Sequence, residues 1–88
     1  MSGIAGQARP RLTLYTREDC ELCEHMQQAL LAQPEAPGWD IELRDVDADA
    51  ATRGRYGHKV PVLLLDGELV CHGRLDPLEL RKALTARA

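Results

Sequence analysis

The sequence predicts one small α/β domain in which a four-stranded mixed sheet is covered by helices. Segments with strand periodicity alternate with segments of helical periodicity along the 88 residues, a length that suits a single domain. The first strand, helix and second strand form a βαβ unit, which makes those two strands parallel. Asp66-Gly67 separates two further strand patterns and predicts a hairpin. The expected order is β-α-β-α-β-β-α.

The first half of the chain supplies the βαβ unit. "RLTLY" (11–15) alternates and predicts a strand, and a helix follows from Cys20 behind a cap at Asp19 or Thr16. The apolar stripe of that helix consists of Leu22, Met26, Ala29 and Leu30. "WDIELRDV" (39–46) alternates and predicts the second strand, with Trp39, Ile41 and Leu43 in register. A short helix opens at Asp47 and ends near Gly57.

The second half of the chain predicts a hairpin and a last helix. "VPVLLL" (60–65) is a continuous apolar run that suits a strand buried on both faces. "ELVCH" returns antiparallel to it, and Asp76 caps the last helix, with Pro77 at the first position and Glu79 completing a capping box. Leu75 and Leu80 have the spacing of a hydrophobic staple. We assign residues 1–10 to a flexible N-terminal segment and 11–88 to the domain.

Composition and charge exclude several classes of function. The net charge of −3 argues against nucleic-acid binding, which needs clustered basic residues. No apolar run approaches the roughly 18 residues of a membrane span, and "MSGIAGQARP" lacks the features of a signal peptide. We therefore expect a monomer in a reducing cytoplasm, where a cysteine pair is more often catalytic or metal-binding than structural.

Cys20 and Cys23 are the candidate reactive pair. Helix geometry places residues three apart at about 5 Å between Cα atoms, within the range of a disulfide. The helix N-terminus stabilises a thiolate, which is the nucleophile. Since Cys20 lies nearer that end, we assign it as the attacking thiol and Cys23 as the resolving thiol. Glu18, Asp19 and Glu21 oppose a further anion, so we expect a Cys20 pKa in the upper part of the redox-thiol range.

Two other interpretations of the pair stay open. Both cysteines could simply fill the core as small apolar residues. A metal site would need more ligands, but His25 lies about 140° around the helix from Cys20, and Cys71 and His72 are distant in sequence. We predict no metal ligands within one chain, while a zinc or iron–sulfur carrier shared between chains stays an alternative.

The assembled pattern resembles the small bacterial glutaredoxin-like proteins of the thioredoxin-fold superfamily. The resemblance covers about residues 11–85 and is carried by four segments, "LYTREDCELC", "DVDAD", "RYGHKVPVLLLDGEL" and "GRLDPLEL". It implies a thioredoxin-like α/β fold with helices on both faces of the sheet. The implied activity is disulfide reduction through Cys20 and Cys23. The alternative is a binding or regulatory module that keeps the fold without turnover.

The resemblance also implies further site residues and partners. The bond before Pro61 would be cis, and the Val60 backbone would pair with an extended thiol substrate. Arg17, Lys59 and Asp76 match positions that hold glutathione in glutaredoxins. Cys71-His72 replaces the family's Gly-Gly, and Glu-Leu replaces Pro-Tyr between the cysteines. The expected substrate is a disulfide-containing protein or glutathione. Electrons would come from glutathione or a thioredoxin-type reductase, with no tightly bound cofactor.

Overall fold

The strands and helices occur in the predicted order. The computed structural model describes residues 9–87, so most of the N-terminal segment expected at 1–10 lies outside the described residues. The strands are β1 (Arg11–Thr16), β2 (Asp40–Asp45), β3 (Val62–Leu65) and β4 (Glu68–His72). The helices are α1 (Glu21–Leu31), α2 (Ala50–Tyr56) and α3 (Pro77–Ala86), and two short 3-10 helices occupy Ala36–Gly38 and Val46–Ala48. None of the helices within 9–87 is long and apolar enough to cross a membrane.

The four strands form one mixed sheet in the order β2-β1-β3-β4. β1 is parallel to β2, which confirms the βαβ prediction, and antiparallel to β3. β3 and β4 are antiparallel and joined at the predicted turn, where Asp66 and Gly67 have φ values of 50° and 90°. Both values lie in the left-handed region that a two-residue hairpin turn requires.

The main core lies between one face of the sheet and the helices α1 and α3. Its buried side chains are Leu12, Leu14, Met26, Leu30, Ala36, Trp39, Leu63, Leu65 and Leu80. On the opposite face, the ring of Tyr15 packs against Tyr56 at the end of α2, with 5.4 Å between ring centroids. Helices therefore cover both faces, and all of β3 is buried as predicted.

The structure corrects the predicted start and stripe of the first helix. Cys20 is itself the N-cap, and Asp19 lies in the preceding turn with φ of 56°. The buried residues of α1 are Cys23, Met26 and Leu30, whereas Leu22 is 44% exposed. Residues at i, i+3 and i+7 share one helix face, and Leu22 lies at the margin of that face, about 40° from Met26 and about 100° from Cys23.

In β2, Ile41 and Leu43 pair with Leu12 and Leu14 of β1 as the alternation predicts, and Leu43 is 47% exposed on this edge strand. The predicted cap of the short helix is wrong. The cap of α2 is Asp49, whose carboxylate accepts from the N–H of Thr52, rather than Asp47. Asp47 lies in the preceding 3-10 helix and pairs with Arg17.

The ends of the domain are anchored by side chains. Arg9 contacts the Asp40 carboxylate and donates to the carbonyl oxygens of Pro37 and Trp39. The contacts of the domain therefore extend to Arg9, within the segment assigned to 1–10. Asp76 caps α3 as predicted, accepting from the N–H of Glu79 at 3.1 Å, and Leu80 is buried.

Candidate active site

Three loops that carry the predicted site residues meet at one end of the sheet, where β1 and β4 finish and β3 begins. They are the loop after β1 (17–20), the loop before β3 (57–61) and the loop after β4 (73–76). Since β3 is antiparallel to both β1 and β4, the end of β1, the start of β3 and the end of β4 lie on the same side. The topology therefore brings together segments up to about sixty residues apart in sequence.

Cys20 and Cys23 form a disulfide, with 5.2 Å between their Cα atoms. The two sulfurs have different environments. Cys23 is 3% exposed on the buried face of α1, whereas Cys20 is half-buried at the N-cap. The backbone N–H of Cys23 donates to the Cys20 sulfur at 3.1 Å. An approaching thiol or disulfide can therefore reach Cys20 more readily than Cys23.

Carboxylates surround the N-terminus of α1. Glu21 and Glu24 lie in its first turn, and Glu18 and Asp19 are exposed in the turn before it. Acidic side chains at a helix N-terminus stabilise the helix, but they compete with a thiolate for the same favourable dipole. The local charge therefore opposes ionisation of Cys20 while it supports the helix that carries it.

Arg17 is held by internal partners. Its Nε and Nη2 atoms donate to the two carboxylate oxygens of Asp47 at 2.8 and 3.0 Å, and Nη1 donates to the carbonyl oxygen of Gly57 at 2.8 Å. This bidentate hydrogen bonding holds the pKa of the Asp47 carboxyl below its usual range and raises the pKa of Arg17. The prediction that Arg17 binds substrate stays a prediction.

The loop before β3 contains the proline segment. The Val60–Pro61 peptide bond is cis, Pro61 is buried and Val60 is half-buried. Lys59 is exposed, and its backbone N–H donates to the carbonyl oxygen of Tyr56. The carbonyl oxygen of Pro61 accepts a hydrogen bond of 2.8 Å from the N–H of Gly73, which ties this loop to the one after β4.

The segment after β4 holds the third cysteine and the helix cap. Cys71 is half-buried against the core cluster, and burial raises the pKa of its thiol. His72 is exposed, and Gly73 has φ of 80°, a conformation that favours glycine. Asp76 is exposed while its carboxylate caps α3, so its role toward substrate stays a prediction.

Sequence reasoning missed a groove along α1. Its volume is about 220 Å³, and it runs between α1 and the loop after β4, lined by Leu22, His25, Met26, Ala29 and Gly73–Leu75. The exposed Leu22 and the buried Met26 both line this groove. The available signal was the position of Leu22 immediately before Cys23, which leaves it on a different face of α1 once Cys23 is buried.

The described residues show no ready metal site. Within 9–87, no group of at least three His, Cys, Asp or Glu side chains is placed to hold a metal ion. His25 is exposed on α1, on the side of the groove. The cysteine sulfurs are bonded to each other rather than presented as separate ligands.

Comparison with known proteins agrees with this fold. The family described as Glutaredoxin-like domain (DUF836) matches residues 11–85. The chain belongs to this glutaredoxin-like family. An uncharacterised protein of Mycobacterium tuberculosis is 33% identical over 79 residues, which cover 84% of this chain and 81% of that protein.

Solved structures extend the comparison to the fold. A structural genomics target protein from X. campestris is 37% identical with a TM-score of 0.64, covering 85% of this chain and 96% of that one. A Nitrosomonas europaea protein is 27% identical with a TM-score of 0.77, covering 86% and 92%. Mitochondrial thioredoxin 3 of Saccharomyces cerevisiae is 22% identical with a TM-score of 0.60, covering 94% and 83%, and shows that the fold is thioredoxin-like.

Proposed function

We propose that this glutaredoxin-like protein catalyses thiol–disulfide exchange through Cys20 and Cys23. The observation that carries the proposal is the asymmetry of the disulfide at the N-terminus of α1. Cys20 is the more accessible sulfur and accepts a backbone hydrogen bond, whereas Cys23 is buried one turn further along. An accessible attacking thiol beside a sheltered resolving thiol is the arrangement that two-step exchange needs.

The reaction starts from the reduced dithiol. The Cys20 thiolate attacks one sulfur of a substrate disulfide, a Cys20–substrate bond forms, and the other substrate sulfur leaves as a thiolate that takes up a proton. Cys23, after losing its proton, attacks the Cys20 sulfur and releases the second substrate thiol. Two electrons pass to the substrate, and the Cys20–Cys23 disulfide is formed.

The neighbouring loops would position the substrate. We assign the Val60 backbone and Pro61 to an extended substrate segment beside Cys20, with the exposed Lys59 at its margin. Two observations support this assignment. The loop of Cys20 and the loop of Pro61 lie at the same end of the sheet, and the N–H of Gly73 donates to the carbonyl oxygen of Pro61 and holds its loop. Asp76 lies on the adjacent loop and would contact a substrate that spans both loops.

The substrate is a protein disulfide or a mixed disulfide with glutathione. The oxidised enzyme is reduced either by two molecules of glutathione, which leave as one glutathione disulfide, or by a thioredoxin-type reductase. In both cases two electrons return to the cysteine pair, and no tightly bound cofactor takes part.

A reductase assay tests the proposal. Reduction of insulin, and of the mixed disulfide of glutathione and 2-mercaptoethanol, is compared for the wild type, Cys20→Ser and Cys23→Ser. Cys71→Ser is the matched control, because it removes a sulfur outside the pair. We expect no turnover with Cys20→Ser and wild-type turnover with Cys71→Ser. Activity in Cys20→Ser would overturn the role of Cys20, and an inactive wild type would favour a binding module.

A further inference from the structure

We propose that Arg17 and Asp47 are positioning residues that fix the Cys20 loop relative to the Pro61 loop. This inference rests on the proposed function, because it concerns how the two halves of the exchange site are held together. Arg17 lies three residues before Cys20, and Gly57 lies four residues before Pro61. The side chain of Arg17 connects the two loops directly through the Gly57 carbonyl.

The geometry of this connection is specific. The guanidinium is planar, and its Nε and Nη2 donors meet both carboxylate oxygens of Asp47 in a fixed plane. With that plane fixed, Nη1 is directed at the Gly57 carbonyl oxygen at 2.8 Å. Asp47 therefore orients Arg17, and Arg17 in turn holds the chain that leads into Pro61.

The Arg17 guanidinium lies so close to Gly57 that there is little room for a side chain at this position. A Cβ atom built on Gly57 would lie 2.5 Å from the carbonyl oxygen of Arg53 and 3.2 Å from Nη2 of Arg17. Gly57 is buried, so the guanidinium packs directly on its backbone. A side chain at this position would displace the guanidinium from the carbonyl.

A second hydrogen bond continues the connection. The N–H of Gly73 donates to the carbonyl oxygen of Pro61, so the loops after β1, before β3 and after β4 are joined in series. A shift of Arg17 would change the distance between Cys20 and the backbone that positions the substrate. Small displacements in such an arrangement lower reaction rates strongly, by up to about 100-fold for 1 Å.

The test compares Arg17→Gln, Asp47→Asn and the double variant. Substrates of different charge are used: cystamine, hydroxyethyl disulfide and oxidised glutathione. We expect each single change to lower kcat/KM about tenfold for every substrate, whatever its charge. The double variant should be no slower than either single variant, because both changes remove one connection.

Three measurements separate positioning from a general loss of structure. Alkylation of reduced Cys20 by iodoacetamide needs no second loop, so its rate should change by less than about threefold, the effect of one neighbouring charge, and Cys23 should stay protected. Asp47→Glu, which retains the carboxylate, should recover most of the lost activity. Arg9→Gln is the matched control, because Arg9 also pairs with an aspartate and donates to carbonyl groups, but at the opposite end of β2.

Several outcomes would overturn the inference. A loss confined to anionic oxidised glutathione in Arg17→Gln, with Asp47→Asn unaffected, would make Arg17 a substrate ligand. Unchanged kinetics in both single variants would leave the pair without a role in exchange. Faster alkylation of Cys23, or an equal loss of activity in Arg9→Gln, would show that the effect is a general loss of structure rather than positioning. The proposed function is tested separately in the same assays, because it requires an active wild type and an inactive Cys20→Ser whatever the Arg17 and Asp47 variants show.

Discussion

The sulfur of Cys20 accepts a hydrogen bond of 3.1 Å from the backbone N–H of Cys23 at the start of α1. An N–H group directed at sulfur from the first turn of a helix stabilises negative charge on that sulfur. The carboxylates of Glu21 and Glu24 share the same turn and act in the opposite direction. The reactivity of Cys20 is set by the balance of these two effects.

Neutralising Glu21 should make reduced Cys20 more reactive. In Glu21→Gln the rate of Cys20 alkylation by iodoacetamide at pH 7 should rise about 1.3- to 2.5-fold, since a charge at a helix terminus contributes about 0.3–1 kcal/mol. The intrinsic nucleophilicity of the thiolate falls with its pKa, but less steeply than the thiolate fraction rises. The control is Glu68→Gln, because Glu68 starts β4 at the opposite end of the sheet. A rate equal to the wild type would contradict this balance.

Cys71 should react slowly in the reduced protein. Burial raises the pKa of its thiol, so little thiolate is present at neutral pH. We expect mass spectrometry of alkylated peptides to show Cys71 at least about tenfold slower than Cys20 under native conditions. In urea the two rates should converge, and equal rates in the folded protein would show that Cys71 is not sheltered.

Asp47 should make the free energy of unfolding vary with pH in the acidic range. Arg17 lowers the pKa of the Asp47 carboxyl from its ordinary value of 3.8. Such a group stabilises the fold fully above the ordinary value, and the contribution is lost as the pH falls through the lowered value. Asp47→Asn should therefore be less stable than the wild type at pH 6, and the difference should shrink as the pH falls below about 3.8. Urea unfolding across this range measures it, and a constant difference would contradict the ion pair.

Gly57 and Gly54 should respond oppositely to alanine. Gly57→Ala places a Cβ against the Arg53 carbonyl and Arg17, and should cost about 1–3 kcal/mol in the free energy of unfolding. Gly54 lies inside α2 with nothing within 4 Å of a Cβ, so Gly54→Ala should stabilise by about 0.5–1 kcal/mol. Equilibrium urea denaturation compares both, and equal effects would remove the steric argument for Gly57.

The fold was predictable because its signals are local. The alternation of "RLTLY", the apolar run of β3, the Asp66-Gly67 turn and the Asp76 cap each act within a few residues, and the structure contains all of them. The spacing of Cys20 and Cys23 is equally local, so their approach within disulfide distance follows from helix geometry.

The errors arose where residues distant in sequence determine the role of a side chain. Asp47 resembles a helix cap by its neighbours, but Arg17, thirty residues earlier, binds its carboxylate, and Asp49 becomes the cap. Leu22 fits an apolar stripe, yet the face of α1 that turns inward is the one that carries Cys23, Met26 and Leu30. Long-range pairing of this kind has no periodic signature in a single sequence.

Trapping of a mixed disulfide tests the central proposal most directly. Reduced Cys23→Ser, which lacks the resolving thiol, is incubated with a disulfide substrate, and the adduct is located by mass spectrometry of its peptides. The exchange mechanism predicts a stable adduct on Cys20, absent from Cys20→Ser and released at once by the wild type. An adduct on Cys71 alone, or none at all, would contradict the assignment of Cys20 as the attacking thiol.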